Sequence, residues 1–337
     1  MDKAVIARRL RALLAATLVA LPAFASAELS EIKVAKQYGI SYLPLMLMEE
    51  GKLIEKQAKA AGVEVTVTWA TFAGGNVMND ALLSNSLQFA SGGVGPLVIL
   101  WSRTRGNLDI RAVGALNSMP LYLVTRNPDV KTIRDLTEKD RIAMPAVKIS
   151  VQALALQMAA EQAFGPGQQN RLDPLTVTMA HPDAMQALLS GQSEIDSHFG
   201  SPPFQYQELA KPGMRVVLNN YDVMGGAVTF NLAWTSEKFR SENPKLYDAF
   251  CKALDEAQAI INRDKRAAAE AYIRISKDKD TVDNIARMMN DPQIVFTTTP
   301  QNVMKYADFM AKTGAIKVKP ESWKDLFFPN VHGLPGS

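Results

Sequence analysis

Strand and helix patterns alternate along most of the chain. Alternating or continuous apolar positions predict strands, at 32–36, 63–70, 108–116, 121–126, 141–144, 215–218 and 227–234. Helical periodicity predicts helices, over 43–61, over a long segment that ends near Phe164, and over about 20 residues from Pro244. From Ser236 onward the pattern is helical almost throughout. This alternation favours an α/β fold with parallel-type sheets.

One block of the sequence occurs twice. Ala81-Leu82-Leu83-Ser84 recurs as Ala187-Leu188-Leu189-Ser190, an offset of 106 (187 minus 81) that also pairs Ser91 with Ser197. The same offset pairs Pro96 with Pro202, and an alternating strand precedes each copy. Solenoid repeats run to about 20–50 residues, so this period is too long for a solenoid. It predicts two α/β lobes of similar plan, with a cleft between them where a small ligand binds.

Residues 1–27 have the features of a secretory signal peptide. A basic segment up to Arg11 precedes an apolar stretch at 12–24 and the small-residue site Ala25-Ser26-Ala27. We expect cleavage after Ala27 and a periplasmic mature protein. No cysteine stands near this site to carry a lipid anchor, and no other stretch approaches about 20 apolar residues. The sequence therefore predicts a soluble, exported protein.

Charge and cysteine content exclude further classes. Residues 1–27 carry four of the 37 basic residues and one of the 34 acidic residues, which leaves 33 of each. The remaining chain is formally neutral, so nucleic-acid binding has no electrostatic support. Cys251 is the only cysteine, so the chain forms no internal disulfide and depends on packing for its stability. We expect Cys251 to be a buried small apolar residue.

Catalytic and metal-binding motifs are missing from the sequence. His181, His198 and His332 have no zinc-ligand spacing, and no motif pairs His198 with a nucleophile or a carboxylate. There is no P-loop or dinucleotide fingerprint. Met46 and Met48 lie on an amphipathic helix, which favours a place in the core over copper binding. We expect no catalytic residues, no metal site and no cofactor.

The order of several short segments resembles a known family. These segments are Tyr38-Gly39, the turn at 71–75, Ala81-Leu82-Leu83-Ser84 with Gln88-Phe89-Ala90, Leu123-Val124-Thr125-Arg126, the segment 141–145, and Ala187-Leu188-Leu189-Ser190-Gly191 with Glu194-Ile195-Asp196. Together they resemble the substrate-binding proteins of ABC importers in the nitrate/sulfonate/taurine class, which includes relatives that bind thiamin-pyrimidine precursors. Asn85-Ser86 and Gln88 depart from the family's usual pattern, which leaves details of lobe one open.

The resemblance implies a two-lobed periplasmic binding protein fold (type II), with two sheets flanked by helices and a ligand cleft between the lobes. Lobe one would hold 28–124 and 227–337, and lobe two would hold 125–226. The chain would cross between them near Arg126 and near Gly225-Gly226, where glycine suits a hinge.

The implied function is delivery of a small organic anion, sulfonate-, taurine- or nitrate-like, to an inner-membrane ABC permease. We expect a monomer whose partners are the small-molecule ligand and the permease. Two alternatives stay open. One is an enzyme on the same fold that acts on a pyrimidine-type ligand, and the other is a ligand-sensing partner of a membrane receptor.

Ligands of α/β folds lie beyond the carboxyl ends of the strands. The candidate ligand-binding residues at those positions are Tyr38, Tyr42, Thr71, Gly74, Gly75, Ser91, Gly92, Asn117, Lys148, Ile149, Ser150, Ser197, His198, Phe199 and Asn219. Hydroxyls, glycines and helix starts predominate, which is the chemistry of an anion site built from neutral donors. Lys148 would add one formal charge, and aromatic residues such as Tyr38 and Tyr42 favour an organic ligand.

Overall fold

The computed structural model describes residues 28–337, and the predicted signal peptide at 1–27 lies outside the described residues. The strands within this range are β1 Glu31–Lys36, β2 Thr66–Thr71, β3 Ala90–Gly93, β4 Arg111–Ala115, β5 Tyr122–Thr125, β6 Ile142–Met144, β7 Thr176–Thr178, β8 Ser197–Phe199, β9 Arg215–Asn219 and β10 Asn231–Thr235. The helices are α1 Leu43–Glu50, α2 Leu53–Ala60, α3 Gly75–Leu83, α4 Val94–Thr104, α5 Val151–Phe164, α6 His181–Ser190, α7 Phe204–Leu209, α8 Asn220–Met224, α9 Glu237–Glu242, α10 Pro244–Arg263, α11 Lys265–Ser276, α12 Val282–Met289 and α13 Val303–Lys312.

The first sheet carries lobe one. Its strands pair as β1-β2 and as β3-β10-β4, and a parallel bridge between Val34 and Phe89 connects the two groups. The order across the sheet is therefore β2-β1-β3-β10-β4. Strand β10 runs antiparallel to both of its neighbours.

The second sheet carries lobe two and has the order β7-β6-β8-β5-β9. Strands β6, β7 and β8 are parallel, whereas β5 runs antiparallel to β8 and β9. The two sheets share one plan. In each sheet, the strand at one edge (β2 or β7) is parallel to its neighbour and comes after it in the sequence. The strand second from the other edge (β10 or β5) is antiparallel to both of its neighbours. The two-lobed α/β fold is confirmed, but each sheet is mixed rather than purely parallel.

The chain crosses between the sheets in two adjacent segments, 116–121 and 225–230. Ser118 forms an antiparallel bridge with Thr229, so the two crossings lie side by side. Since β5 begins at Tyr122 in the second sheet, the first crossing comes before Arg126. Arg126 instead donates from Nη2 to the carbonyl of Ser193, 3.1 Å away within lobe two. The precise lobe boundaries stay a prediction.

Local backbone geometry moves several predicted elements. The helix expected over 43–61 is two helices, because Lys52 adopts a left-handed conformation with φ of 47° between α1 and α2. The strand expected at 227–234 is β10, displaced toward the C-terminus. In the second copy of the repeated block, the helix that follows Pro202 begins only at Phe204, after Pro203. Helix boundaries of this kind depend on single φ and ψ values that periodicity does not specify.

The C-terminal helices pack on lobe one and also touch lobe two. Phe250 of α10 stacks on Phe89 with ring centroids 3.9 Å apart, and Lys56 of α2 pairs with Glu256 of α10 at 2.6 Å. The neighbouring Cys251 is half-buried, and burial raises the pKa of its thiol to about 12. Across to lobe two, Gln207 donates to Asp278 over 2.9 Å. Within 28–337, no helix combines the length and the apolar character that a membrane crossing requires.

Candidate functional site

The carboxyl ends of strands from both sheets meet at a small cavity of about 20 Å³. Its wall draws on both lobes and consists of Gln37, Tyr42, Gly75, Gly93, Pro96, Pro145, Ala146, Ser150, Val151, Gln152, His181, Ser201, Phe230 and Asn231. None of these described residues is Lys, Arg, Asp or Glu. Three helices, α3, α5 and α6, begin at this wall, at Gly75, Val151 and His181. Their first N–H groups have no partner within the helix, which makes helix starts favourable for anions.

A larger groove of about 1390 Å³ adjoins the cavity and shares Gln37 with it. Tyr38 and Thr71 line this groove from lobe one, and Pro182 and Phe204 line it from lobe two. The groove is thus the outer part of the same cleft between the lobes.

Small residues let the lobes approach closely around the cavity. A Cβ atom on Gly74 would lie 2.9 Å from the carbonyl oxygen of Pro145, and one on Gly95 would collide with the carbonyl of Ile149. The backbone N–H of Ile40 also donates to the carbonyl of Pro202 across the cleft, over 3.3 Å. The two lobes are therefore in contact around the site.

The structure divides the predicted lobe-one residues into two groups. Tyr42 and Gly75 line the cavity, and burial raises the pKa of Tyr42, so its hydroxyl stays protonated. Gly74 faces lobe two, as described above, and Tyr38 and Thr71 line the outer groove.

The other lobe-one candidates do not line the cavity. Ser91 is fully buried and donates from Oγ to the carbonyl of Ala35 over 2.6 Å. Gly92 packs beneath Gln37, whose amide would lie 3.0 Å from a Cβ at that glycine. Asn117 donates to the carbonyl of Ser41 over 2.5 Å. Ser91 and Asn117 thus connect elements of lobe one, whereas Gly92 supports a residue that lines the cavity.

In lobe two, the predicted residues at the start of α5 lie nearest the cleft. Ser150 lines the cavity and caps α5, because its Oγ accepts from the backbone N–H of Ala153 over 3.1 Å. Ile149 presents its carbonyl to lobe one. Lys148 is exposed in a left-handed conformation with φ of 67°, and it lines neither the cavity nor the groove.

Three further lobe-two candidates make contacts inside their own lobe. Ser197 donates to Thr125 over 2.9 Å, and Phe199 is fully buried. Asn219 caps α8 by accepting from the backbone N–H of Tyr221 over 3.0 Å.

The remaining candidate, His198, belongs to a buried chain of polar side chains. Its Nε2 lies 2.8 Å from Nδ1 of His181, and its Nδ1 lies 2.5 Å from Oε1 of Glu208. At the cavity end, Nε2 of His181 lies 3.4 Å from Nε2 of Gln152. Burial, and then the neighbouring His198, lower the pKa of His181 well below its ordinary value. His181 is therefore a neutral imidazole near pH 7.

Sequence reasoning missed five polar residues of the cavity wall: Gln37, Gln152, His181, Ser201 and Asn231. Gln37 directly follows β1, and His181 lies 106 residues after Gly75, so both had a positional signal. Ser201 stands directly before Pro202, the proline that the repeat pairs with Pro96. The contact of His198 with Glu208 had no signal in the sequence, since no motif joins the two positions. Asn231 had no signal either.

Two buried polar atoms of the wall lack a hydrogen-bond partner among the described residues. They are Oγ of Ser201 and Oδ1 of Asn231, and both residues are fully buried. Leaving such an atom unsatisfied costs about 1–3 kcal/mol, and folded proteins satisfy nearly all of them. These two atoms are therefore candidates for direct contact with a ligand.

The topology and the cleft agree with a known architecture. No protein-family model matches the chain and no curated protein matches it significantly. Solved structures do match. The alkanesulfonate-binding protein SsuA of Xanthomonas axonopodis pv. citri, bound to MOPS, superposes with a TM-score of 0.68 at 17% identity, over 87% of this chain and 96% of that chain. The chain has the periplasmic binding protein fold.

Two further structures share this periplasmic binding protein fold. The periplasmic aliphatic sulphonate-binding protein SsuA of Escherichia coli matches with a TM-score of 0.63 and 18% identity, over 89% of this chain and 99% of that chain. The periplasmic nitrate-binding protein NrtA of Synechocystis PCC 6803 matches with a TM-score of 0.67 and 14% identity, over 89% and 85%. At these identities the similarity establishes the fold alone. No group of three or more His, Cys, Asp or Glu suited to a metal ion occurs among the described residues.

Proposed function

We propose that this protein is an extracytoplasmic solute-binding protein that delivers a small anion to an inner-membrane ABC permease. The observation that carries the proposal is the cavity between the lobes, which both lobes line and where Ser201 and Asn231 keep buried polar atoms without a partner among the described residues. Ligand contacts from both lobes would stabilise the closed arrangement over an open one.

The donors around the cavity favour an anionic head group. The starts of α3 and α5 supply free backbone N–H groups and the positive ends of two helix dipoles. The hydroxyls of Tyr42, Ser150 and Ser201 add neutral donors at the same wall. Two of the similar structures are described as sulfonate-binding and a third as nitrate-binding. We therefore place the ligand in the sulfonate, taurine and nitrate class.

Ligand entry requires the lobes to separate, because a cavity of about 20 Å³ holds about one water molecule. The hinge that we propose consists of the crossings 116–121 and 225–230. Gly225 and Gly226 have φ values of 70° and 135°, which glycine adopts without strain. Export through the signal peptide at 1–27, a periplasmic location and a monomeric state belong to the same proposal.

A thermal-shift screen tests the function. The panel contains ethanesulfonate, taurine and nitrate, with glucose and a hydroxymethylpyrimidine as ligands of other classes. An anion at 100 times its dissociation constant should raise the free energy of unfolding by about 2.7 kcal/mol. Stabilisation by the pyrimidine alone would contradict the anion class, and chemical conversion of a bound compound would contradict a pure binding function.

A further inference from the structure

Gln152 and Asn231 are two amide side chains of the cavity wall that come from opposite lobes. Gln152 is the second residue of α5 in lobe two, and Asn231 is the first residue of β10 in lobe one. Gln152 is 2% exposed, and Asn231 is fully buried. An amide donates through its nitrogen and accepts through its oxygen, so the orientation of each amide decides what the cavity offers a ligand.

The orientation of Gln152 follows from its contact with His181. Nε2 of Gln152 lies 3.4 Å from Nε2 of His181, and an amide nitrogen only donates, so Nε2 of His181 accepts. Because burial lowers the pKa of His181, its ring is neutral, and its one ring proton lies on Nδ1. Oε1 is therefore the polar atom that Gln152 offers to the cavity.

The rest of the buried chain agrees with this orientation. Nδ1 of His181 donates to Nε2 of His198 over 2.8 Å, which places the ring proton of His198 on Nδ1. That proton faces Oε1 of Glu208 at 2.5 Å, and a carboxylate oxygen accepts it. Each contact from Gln152 to Glu208 then has one donor and one acceptor. The opposite orientation of the amide would direct a lone pair of His198 at the carboxylate.

Asn231 offers an acceptor from the other lobe. Its Nδ2 donates to Oγ of Ser41 over 2.9 Å, whereas its Oδ1 has no hydrogen-bond partner among the described residues. An unpaired buried acceptor is costly, and a ligand group that donates to it removes that cost. The cavity holds about one water molecule, so one small group bound there can meet Oδ1 of Asn231 and Oε1 of Gln152.

We propose that Gln152 Oε1 and Asn231 Oδ1 form an acceptor subsite that recognises a hydrogen-bond donor, a hydroxyl or amino group, on the ligand. This inference rests on the proposed function, in which the starts of α3 and α5 bind the ligand's oxyanion. An ionised sulfonate or a nitrate offers only lone pairs, so it satisfies neither amide oxygen. The site therefore selects an anion that also carries a hydroxyl or amino group. Since each lobe supplies one acceptor, the donor group also favours closure.

Three sulfonates of nearly equal size test the acceptor subsite by calorimetric titration. At the same position, propanesulfonate ends in a methyl group, isethionate in a hydroxyl and taurine in an ammonium group. We expect isethionate, taurine or both to bind at least about 5-fold more tightly than propanesulfonate. The tighter of the two identifies the preferred donor group.

The outcomes separate the subsite from the proposed function. Propanesulfonate that binds as tightly as the other two would overturn the acceptor subsite and leave the proposed function standing. Binding of none of the three sulfonates would also overturn the subsite, and the proposed function fails with it only if nitrate does not bind either.

Two variants separate the acceptors of the cavity from its donors. Gln152→Met and Asn231→Leu each remove one acceptor with little change in volume. Each should reduce the preference for the donor-bearing sulfonate over propanesulfonate at least about 3-fold. Ser150→Ala is the matched control, because it removes a donor from the same wall and should weaken all three sulfonates by a similar factor. Melting curves identify the folded variants, and an unchanged preference in either folded acceptor variant would overturn the proposal.

Nitrogen NMR tests the orientation of Gln152 without any ligand. In protein labelled with ¹⁵N-histidine, His181 and His198 should both be neutral Nδ1–H tautomers at pH 7.5. His332 is the internal reference for a protonated Nε2, which lies 3.0 Å from the carbonyl of Lys324, and the variant His332→Gln assigns its signal. A proton on Nε2 of His181, in a neutral or a charged ring, would mean that Oε1 of Gln152 faces the histidine. That result would overturn the acceptor subsite.

Discussion

Gly93 of lobe one lies directly against Val151 of lobe two, and a Cβ atom at Gly93 would be 2.5 Å from Cγ2 of Val151. Both residues line the cavity, and Gly93 has an ordinary extended backbone with φ of −72°. Alanine is therefore sterically excluded at Gly93 by the other lobe and not by its own backbone. We therefore expect closure of the cleft to depend on the small size of Gly93.

We predict that Gly93→Ala weakens ligand binding at least 10-fold because the lobes no longer close fully. The melting temperature without ligand should stay near that of the wild type. Small-angle scattering with saturating ligand should give a larger radius of gyration than the closed wild type. The double variant Gly93→Ala, Val151→Ala should recover much of the affinity, since the next atom, Cβ of Val151, lies at 3.5 Å. Without such recovery, the contact does not control closure.

Gly75, at the start of α3, gives a prediction about the charge of the ligand. A Cβ there would meet Pro96 at 3.1 Å, so any side chain causes some crowding. Gly75→Asp and Gly75→Asn introduce nearly the same shape, and only the first adds a negative charge at the cavity. We expect Gly75→Asp to bind the anion at least 10-fold more weakly than Gly75→Asn, with similar melting curves. Calorimetric titration of both variants decides this, and equal affinities would place the ligand's charge elsewhere.

The sequence predicted the fold better than the site, for physical reasons that particular residues show. Periodicity and the 106-residue repeat follow from local patterns, and they predicted two lobes of similar plan. Helix starts are also local signals, and Gly75 and Ser150 indeed line the cavity. Ser197 and Asn117 were candidates because they follow predicted strands, but they bond inside their own lobes. The contact between His198 and Glu208 depends on how α7 packs against β8, and no local pattern encodes that packing.

The depressed pKa of His181 gives a prediction about stability and pH. His181 belongs to the buried chain of polar side chains with His198 and Glu208, and its burial is the main cause of the lowered pKa. The unfolded chain binds a proton at this residue near pH 6.5, whereas the folded protein does so only at lower pH. Stability from His181 is thus present above about pH 6.5 and is lost as the pH falls below it.

Urea unfolding at pH 7.5 and pH 5.5 measures this effect. The wild type should lose more stability between the two values than His181→Gln, which has no imidazole at this position. The variant His332→Gln is the control and should follow the wild type, because His332 lies outside the buried chain. An equal loss in all three proteins would show that other groups set the pH dependence.

Ser150 has two roles in the structure, and a matched pair of variants separates them. It caps α5 through Ala153 and also lines the cavity. Ser236 caps α9 in the same way, accepting from the backbone N–H of Phe239 over 3.0 Å, but it lies outside the cleft.

Loss of a serine cap costs about 1 kcal/mol, so Ser150→Ala and Ser236→Ala should lower the free energy of unfolding by similar amounts. If Ser150 also donates to the anion, only Ser150→Ala should weaken binding, about 5-fold for a loss near 1 kcal/mol. Chemical denaturation and calorimetric titration of the two variants measure both quantities. Wild-type affinity in Ser150→Ala would restrict Ser150 to the cap and leave the start of α5 to act through its backbone alone.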